Sequence, residues 1–548
     1  MSTTTIYTSV THVSRAPLAT VLAAMILAVL VSACGGGSSS GPRIEQGDPL
    51  TLSQQGTCDV DLSASPPDVA VHGADAGDFL ADRFSLATGD FNDDGYGDVL
   101  AGAPLADGRA NDRENTGEAY IIFGGQDQPG VIDLAESNPY TITGVENGDN
   151  LGFTVAAGDF NGDGVDDAIV GARFAGPEGR ANAGAAYVIF GGSNAFNPPA
   201  ASGRDLAESA GDVTIVGASN DLLAVALGSG DLNGDGFDDI LIGSSGTDGP
   251  DGDRPDAGSA FVVAGSDSLP SLIDLGGEEA PPQLELTIHG ALAGDSIPNY
   301  LAAGDLNDDG RDELLIGAPF ADTPDREDAG KTYVIDLASG DTIDLAEASA
   351  TTITGGERKD SLGFEVAAGD LNGDGVDDLV IGARDADGPG DAINNGGEIH
   401  VMYGGSDLPR SVDLKEANSD MIIYSTNPGD SAGFSVATAD LNGDGRADVL
   451  AGVPLADGCM DGQVDAGDVY VIYGRAAPVP ESIALANAGD LSYFGIRGQD
   501  ATGFSIASTD FNGDGRLDLV IGALQADGPD GDREDAGAVY IVFGEASQ

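Results

Sequence analysis

One nine-residue acidic loop recurs seven times along the chain: DFNDDGYGD, DFNGDGVDD, DLNGDGFDD, DLNDDGRDE, DLNGDGVDD, DLNGDGRAD and DFNGDGRLD. The copies begin at Asp90, Asp159, Asp231, Asp305, Asp370, Asp440 and Asp510, so their spacing is 65 to 74 residues. A period of that size restricts the fold more than length does. Each period is a supersecondary unit that cannot bury its own apolar face, so units must stack in a row or close into a ring. The order inside a period is constant: YTITG (140–144), LGFTVAAGDFNGDG (151–164), DAIVGA (167–172), GAAYVIFGG (184–192), then DLAES (205–209). The apolar runs are short, β-branched and bounded by Gly and Asp, which is strand patterning. Four strands in each of seven units predict an all-β, seven-bladed β-propeller of four-stranded blades.

The chain ends support a closed ring. The last unit stops at AVYIVFGEASQ (538–548), with no DLA…TITG piece after it. That piece is found near the start, where VDLSASPPDVAVHG (60–73) matches IDLAESNPYTITG (132–144). An N-terminal strand is therefore expected to complete the last blade, which removes the exposed edges of an open array.

The combination LGF…GDFNGDG…IVGA resembles the FG-GAP repeat of integrin α-subunit propellers. The Gly-Phe pair stands at Gly152-Phe153, Gly363-Phe364, Gly433-Phe434 and Gly503-Phe504, and Gly-Ala-Pro is complete at Gly102-Ala103-Pro104 and Gly317-Ala318-Pro319. It is partial in GAR (171–173) and GVP (452–454). The third and fourth units, LLAVALGSGD (222–231) and IPNYLAAGD (297–305), lack the Gly-Phe pair and are expected to pack differently near the hub. The resemblance covers residues 60–548 and implies a binding or adhesive role, with ligand contacts on one face of the ring. In integrin propellers only some blades carry the acidic loop; here all seven do.

The loop places side-chain oxygens at positions one, three, five and nine, a main-chain carbonyl at seven and Gly at six, the first half of the EF-hand ligand scheme. Hard oxygen donors of this kind suit Ca²⁺. Loop 1 offers Asp90, Asn92, Asp94, Asp98 and the carbonyl of Tyr96; loop 2 offers Asp159, Asn161, Asp163, Asp167 and that of Val165. Loop 3 has Asp231, Asn233, Asp235, Asp239 and Phe237; loop 4 has Asp305, Asn307, Asp309, Arg311 and, with a longer arm, Glu313. Loop 5 has Asp370, Asn372, Asp374, Asp378 and Val376; loop 6 has Asp440, Asn442, Asp444, Asp448 and Arg446; loop 7 has Asp510, Asn512, Asp514, Asp518 and Arg516. Up to seven calcium ions, one per blade, are expected. Two carboxylates about 4 Å apart repel by roughly 4 kcal/mol at an effective dielectric near 20, so each loop resists folding until a cation arrives. The competing reading is a set of solvated acidic turns, since Asp, Asn and Gly favour turns. Turn preference alone does not demand oxygen at four fixed positions.

The formal net charge of −70 excludes nucleic acid as a partner, because phosphate binding needs clustered Lys and Arg. Ahead of the repeats, APLATVLAAMILAVLVSAC runs into Cys34 and then GGGSSSGP. Small residues before a cysteine resemble a bacterial lipobox. The expected layout is a lipoprotein signal peptide over 1–33, lipidated Cys34 with a Gly/Ser tether to residue 57, and the propeller over 58–548. This implies a membrane attachment through lipid and a place in the cell envelope. Gly35 follows the cysteine rather than a retention aspartate, which points to the outer membrane. Whether Cys58 and Cys459 pair is left open by the sequence.

A second set of loops, including TDGPDGDRPDAG (247–258), ADTPDREDAG (321–330) and ADGPDGDREDAG (526–537), falls on the face opposite the acidic loops. That face is the expected site for a protein or glycan ligand, against the plainer reading of a solvated, salt-tolerant surface. His72 and His289 share one repeat position and read as structural, as does His400, and no nucleophile or phosphate-loop motif is present. The sequence therefore reads as a calcium-binding envelope propeller for adhesion or ligand binding, and not as an enzyme. The rivals are a Ca²⁺-dependent polysaccharide lyase or hydrolase and a passive scaffold. Breaks in repeat symmetry such as Asn299 and Tyr300 are where an enzyme would place its chemistry.

Overall fold

A computed structural model describes residues 59–544, apart from 138, 194–195, 197–202, 278, 338–341, 348–349, 407, 417–418, 459–461, 477–479 and 489. Cys34, Cys58, Cys459 and the segment read as signal peptide and tether lie outside the described residues. Among those residues no helix is long and apolar enough to cross a membrane. What is described belongs to one compact unit, Gln55–Gln548.

The strands fall in seven sheets, one per repeat. Two short strands come first, β1 (Val60–Asp61) and β2 (Val69–His72). Blade 1 follows with β3 (Leu86–Gly89), β4 (Asp98–Ala103) and β5 (Glu118–Ile122), then β6 (Val131–Asp133) and β7 (Tyr140–Thr143). Blade 2 opens with β8 (Leu151–Gly158), β9 (Asp167–Ala172) and β10 (Ala185–Ile189), and β11 (Gly203–Asp205) lies between β10 and the blade's outer strand, Val213–Val216. The second strand of each blade is buried along its whole length, as in β4 and β9. This is why these strands read as unbroken apolar runs: both sheet faces are covered, one by each neighbouring blade. The core accordingly lies between blades. Phe91, Leu100, Ile121 and Ile142 of blade 1 pack with Leu151, Val155, Val170 and Tyr187 of blade 2.

Each sheet has five strands, not the four expected. The DLA piece that ends each repeat forms a short strand that pairs in parallel with the outer strand of the preceding blade. Thus β11 lies on β7, with Asp205 opposite Thr143. The added strand covers an edge that would otherwise expose free N–H and C=O groups. Closure follows the expected plan with the same addition. β2 pairs antiparallel with Ala538–Val542 and completes blade 7, while β1 pairs in parallel with Leu491–Phe494 as the fifth strand of blade 6. Blade 3 keeps a full inner strand, Leu223–Gly230, with Ala224 at φ 64° where other blades have Gly. Blade 4 has a shorter one, Tyr300–Gly304.

An arginine fork locks the borrowed strand in most blades. Arg113 meets Asp205, Arg180 meets Asp274 and Arg326 meets Asp413, each at 2.6 Å. Arg254 meets Asp344 at 2.7 Å and Arg533 meets Asp133 at 2.8 Å. Blade 5 has lost both partners together. Ile393 takes the arginine's place, and Ala484 stands opposite Tyr424 at the register where Asp413 faces Thr354. In blade 6 the arginine position is Gln463, its N–H bonded to Asp457 as that of Arg113 is to Asp107.

The most buried fork is that of Arg326, whose side chain is 6% exposed. Arg326→Ala is expected to lower stability by about 1.5–3 kcal/mol in denaturant unfolding, the usual range for charge-assisted hydrogen bonds. Arg358→Ala removes an exposed pair with Glu327 and is expected to cost less than about 1 kcal/mol.

Candidate functional site

All seven acidic loops connect the first two strands of their blade, as residues 90–97 connect β3 and β4. Antiparallel pairing then puts them on one face and the β4–β5 type of connection on the other. Within a loop, position one folds back over the turn. Asp159 Oδ1 accepts the N–H groups of Gly162 and Asp163 at 2.8 and 3.0 Å, and Oδ2 accepts that of Gly164 at 2.9 Å. Position five caps the turn, Asp163 Oδ1 accepting the Val165 N–H at 3.1 Å. Gly at position six has φ near +85°, for example +86° at Gly164, where a side chain would be strained.

Position nine behaves differently. Asp98, Asp167, Asp239, Asp378, Asp448 and Asp518 are 0% exposed, and Glu313 is 4% exposed. Asp167 accepts from the N–H of Phe160 at 3.1 Å and of Gly191, past the third strand, at 2.7 Å. The same pair of bonds recurs on Asp98, from Phe91 at 3.2 Å and Gly124 at 2.8 Å. Glu313 reaches the Leu306 N–H at 2.9 Å despite its longer arm. Position three joins this group: the Asn161 amide donates to both oxygens of Asp167 at 3.0 and 3.1 Å. Positions one and five thus form one pair at the turn, and three and nine a second pair at its root.

These donors fit a calcium ion. They are hard oxygens, and Asn92 Oδ1 in loop 1 is buried without a hydrogen-bond partner. Among the described residues no three His, Cys, Asp or Glu side chains close on one point. A cation here would therefore draw on the Asn oxygen and a main-chain carbonyl as well as on carboxylates. Three loops carry a cation of their own. Arg311 bonds Asp309 at 2.7 Å, and Arg446 and Arg516 lie 3.5 and 3.4 Å from Asp444 and Asp514.

The hub breaks the repeat. Arg83 precedes Phe84 where four other blades have Gly before Phe, although the left-handed residue of that segment is Ala81, and Tyr300 and Glu365 stand where other blades have Ser85, Thr154, Ser435 or Ser505. The Arg83 guanidinium lies 3.7 Å from the centre of the Phe84 ring and 3.8 Å from that of Phe364. Such cation–π contacts strengthen when desolvated. Burial raises the Glu365 carboxyl, and Arg83 opposes that rise. Asn299 donates to the Phe364 carbonyl at 2.8 Å. Arg83, Tyr300, Glu365 and Ser505 border a cavity of about 30 Å³, room for about one water molecule. The histidines lie elsewhere: His289 bonds Ser259 at 2.9 Å, and His400 sits between Glu398 at 3.2 Å and Ser419 at 3.1 Å. On the opposite face, Asp251, Asp253 and Asp256 are exposed.

Burial, reinforced by neighbouring carboxylates, pushes Asp98 up to about 8 and Asp167 and Asp239 to about 7. A carboxyl raised in this way holds more protons native than unfolded. Its stabilisation is full below about pH 4 and is lost as pH rises through the native value. In chelator the melting temperature is therefore expected to fall between about pH 5 and pH 8.5, and calcium is expected to flatten that fall. Thermal scans at the two pH values check both.

Comparison with known proteins gives the same architecture. The FG-GAP repeat family matches at residues 84–122, 151–189, 224–263, 301–335, 362–402, 432–472 and 502–542. Integrin alpha pat-2 of Caenorhabditis briggsae is 29% identical over 248 residues, 42% of this chain and 18% of that protein. Integrin alpha-5 of Xenopus laevis is 31% identical over 247 residues, 42% of this chain and 20% of that protein. Phosphatidylinositol-glycan-specific phospholipase D of Bos taurus is 28% identical over 236 residues, 42% of this chain and 26% of that protein. The alignments thus span about a quarter or less of each relative's length. With seven repeat matches falling one to a blade, the chain belongs to the FG-GAP repeat family and is an integrin α-like β-propeller.

Proposed function

We propose that this propeller is a calcium-loaded binding head, lipid-anchored through Cys34 in the cell envelope and acting in adhesion or ligand capture. The observation that carries it is the placement of seven complete oxygen-donor loops on one face, each rooted in a buried position-nine carboxyl. Calcium would supply two positive charges per loop, offsetting carboxylates that burial and mutual repulsion hold above their usual range. The ion is structural in this reading, and ligand recognition falls to the opposite face. Topology supports that division: β1 runs parallel to an outer strand that starts at the acidic-loop face. The first described strand therefore enters the ring from the acidic-loop face.

The enzyme reading would need a pocket at the hub, where Tyr300 and Glu365 meet. A cavity of about 30 Å³ admits water and not a sugar ring. The phospholipase D relatives are matched over about a quarter of their length, so their activity is not carried over. Binding is therefore favoured over catalysis.

Thermal unfolding in EGTA, followed by calcium titration, tests the metal. A rise in melting temperature with about seven ions bound is expected. A site saturated at a hundred times its Kd adds about 2.7 kcal/mol. No shift and no bound ions would leave the loops as acidic turns. For the recognition face, replacing the exposed Asp251, Asp253 and Asp256 by Ser is expected to abolish capture of a cell-surface ligand without changing the melting temperature.

A further inference from the structure

Neighbouring acidic loops are tied together by position eight, which the ligand pattern leaves free. Asp166 Oδ2 accepts the Asp90 N–H at 2.8 Å, and Asp238 accepts that of Asp159 at 2.9 Å. Asp312 accepts that of Asp231 at 3.1 Å, and Asp377 that of Asp305 at 3.2 Å. A main-chain bond runs the other way, from Asp238, Asp312 and Asp377 N–H to the carbonyls of Asp159, Asp231 and Asp305 at 3.1–3.2 Å; Ala447 and Gly97 make it as well, to Asp370 and Asp510 at 2.9 Å, so the carboxylate is what sets the first four boundaries apart. Each position-eight aspartate thus grips the first ligand residue of the loop before it, while its own neighbour in sequence is the position-nine acid.

The sequence is built around these grips. The residue before position one is Gly89, Gly158, Gly230 and Gly304 in the loops that are gripped, and a Cβ there would come within 2.8, 2.7, 2.4 and 2.3 Å of the adjoining blade. At the other three boundaries position eight is Ala447, Leu517 or Gly97, so no carboxylate is available. There the residue before position one is Gly369, Ala439 or Thr509. Side-chain size matches across the loops as well. Tyr96 covers Gly513, Phe237 covers Gly162, Arg311 covers Gly234 and Arg446 covers Gly373. Where position four is Asp93 or Asp308 instead of Gly, the following blade offers only Val165 or Val376. Gly443 has nothing within 4 Å of where its Cβ would stand.

We propose that the position-eight aspartates couple loops 1 to 5 into one unit that takes up divalent cations cooperatively, while loops 6 and 7 load independently. A cation in one loop fixes its first residue. That residue holds the next blade's position eight, and hence the next position-nine acid. With both loops loaded, the shared carboxylate would offset part of the repulsion between their ions. The inference rests on the calcium reading above and adds its regulation: the head is assembled over a narrow range of calcium concentration.

The test is calorimetric titration of the full chain with Ca²⁺, as wild type, Asp238→Ala and Ala447→Asp. The wild type is expected to show a steep component of about five ions, with a Hill coefficient above about 2, and a shallow component of about two. Asp238→Ala is expected to flatten the steep component. Ala447→Asp, which extends the grip from loop 5 to loop 6, is expected to add a sixth ion to it. Seven equivalent, independent ions in all three proteins would overturn the coupling and leave calcium binding intact. A steep component indifferent to both substitutions would overturn it too. No bound ions at all would remove both readings together. If Asp238→Ala does not fold, Ala447→Asp decides alone.

Discussion

The parallel pairing of each connector with the outer strand of the preceding blade is the interaction on which the rest of the ring depends. No blade completes its own sheet: β11, which lies between the third and outer strands of blade 2, finishes blade 1, and β6 finishes blade 7. Every blade therefore contributes to two sheets, and the apolar layers lie between them. The aspartate that ends the borrowed strand receives the arginine fork, so the same three-residue strand settles edge protection and blade spacing together. Glycines permit the approach. A Cβ on Gly102 would sit 2.0 Å from the carbonyl of Gly152, and one on Gly117 would sit 2.1 Å from that of Leu151.

Ring order was legible in the sequence because the acidic loop is long, invariant in length and flanked by strand patterning. The offset between AVYIVFGEASQ and VDLSASPPDVAVHG also placed β2 correctly. The fifth strand was not legible. A three-residue strand such as Ser411–Asp413 shows no alternation, and its partner lies in another repeat. Position eight was missed for a related reason. Its aspartate looks like one more acid in an acidic loop, and only the neighbouring blade shows what it holds. At the hub, Tyr300 and Asn299 were visible as breaks in the repeat, but Arg83 and Glu365 were not singled out. Their significance depends on the ring bringing blades 1, 4 and 5 to one axis.

The ties between blades are unevenly spread. Boundaries 1/2 to 4/5 have a position-eight carboxylate, and the fork is absent from blades 5 and 6, where Ile393 and Gln463 replace arginine. Contacts at the hub take over in that sector. Phe364 and Phe434 lie 5.1 Å apart and Phe434 and Phe504 4.6 Å apart, joining blades 5, 6 and 7 through apolar rings. Aromatic pairs at such distances add about 0.5–1.5 kcal/mol beyond their burial. Blades 5 and 6, without a fork, are thus joined at the axis by aromatic contacts. Salt screens exposed charge pairs and leaves apolar stacking largely intact.

The strands that close the ring, β1 and β2, stand at the opposite end of the chain from their partners. Val60 lies beside Tyr493, and Val69 beside Ile541. Contacts of such sequence separation form late, because the loop entropy is spent before the pairing returns anything. A ribosome delivers β1 and β2 first and their partners last. The nascent chain thus carries β1 without its partner, and β2 with only β6 to pair with, through most of its synthesis, and a chain cut short before residue 538 leaves one edge of β2 open. Ring closure thus waits on segments 491–494 and 538–542, which alone cover the open edges of the first two strands.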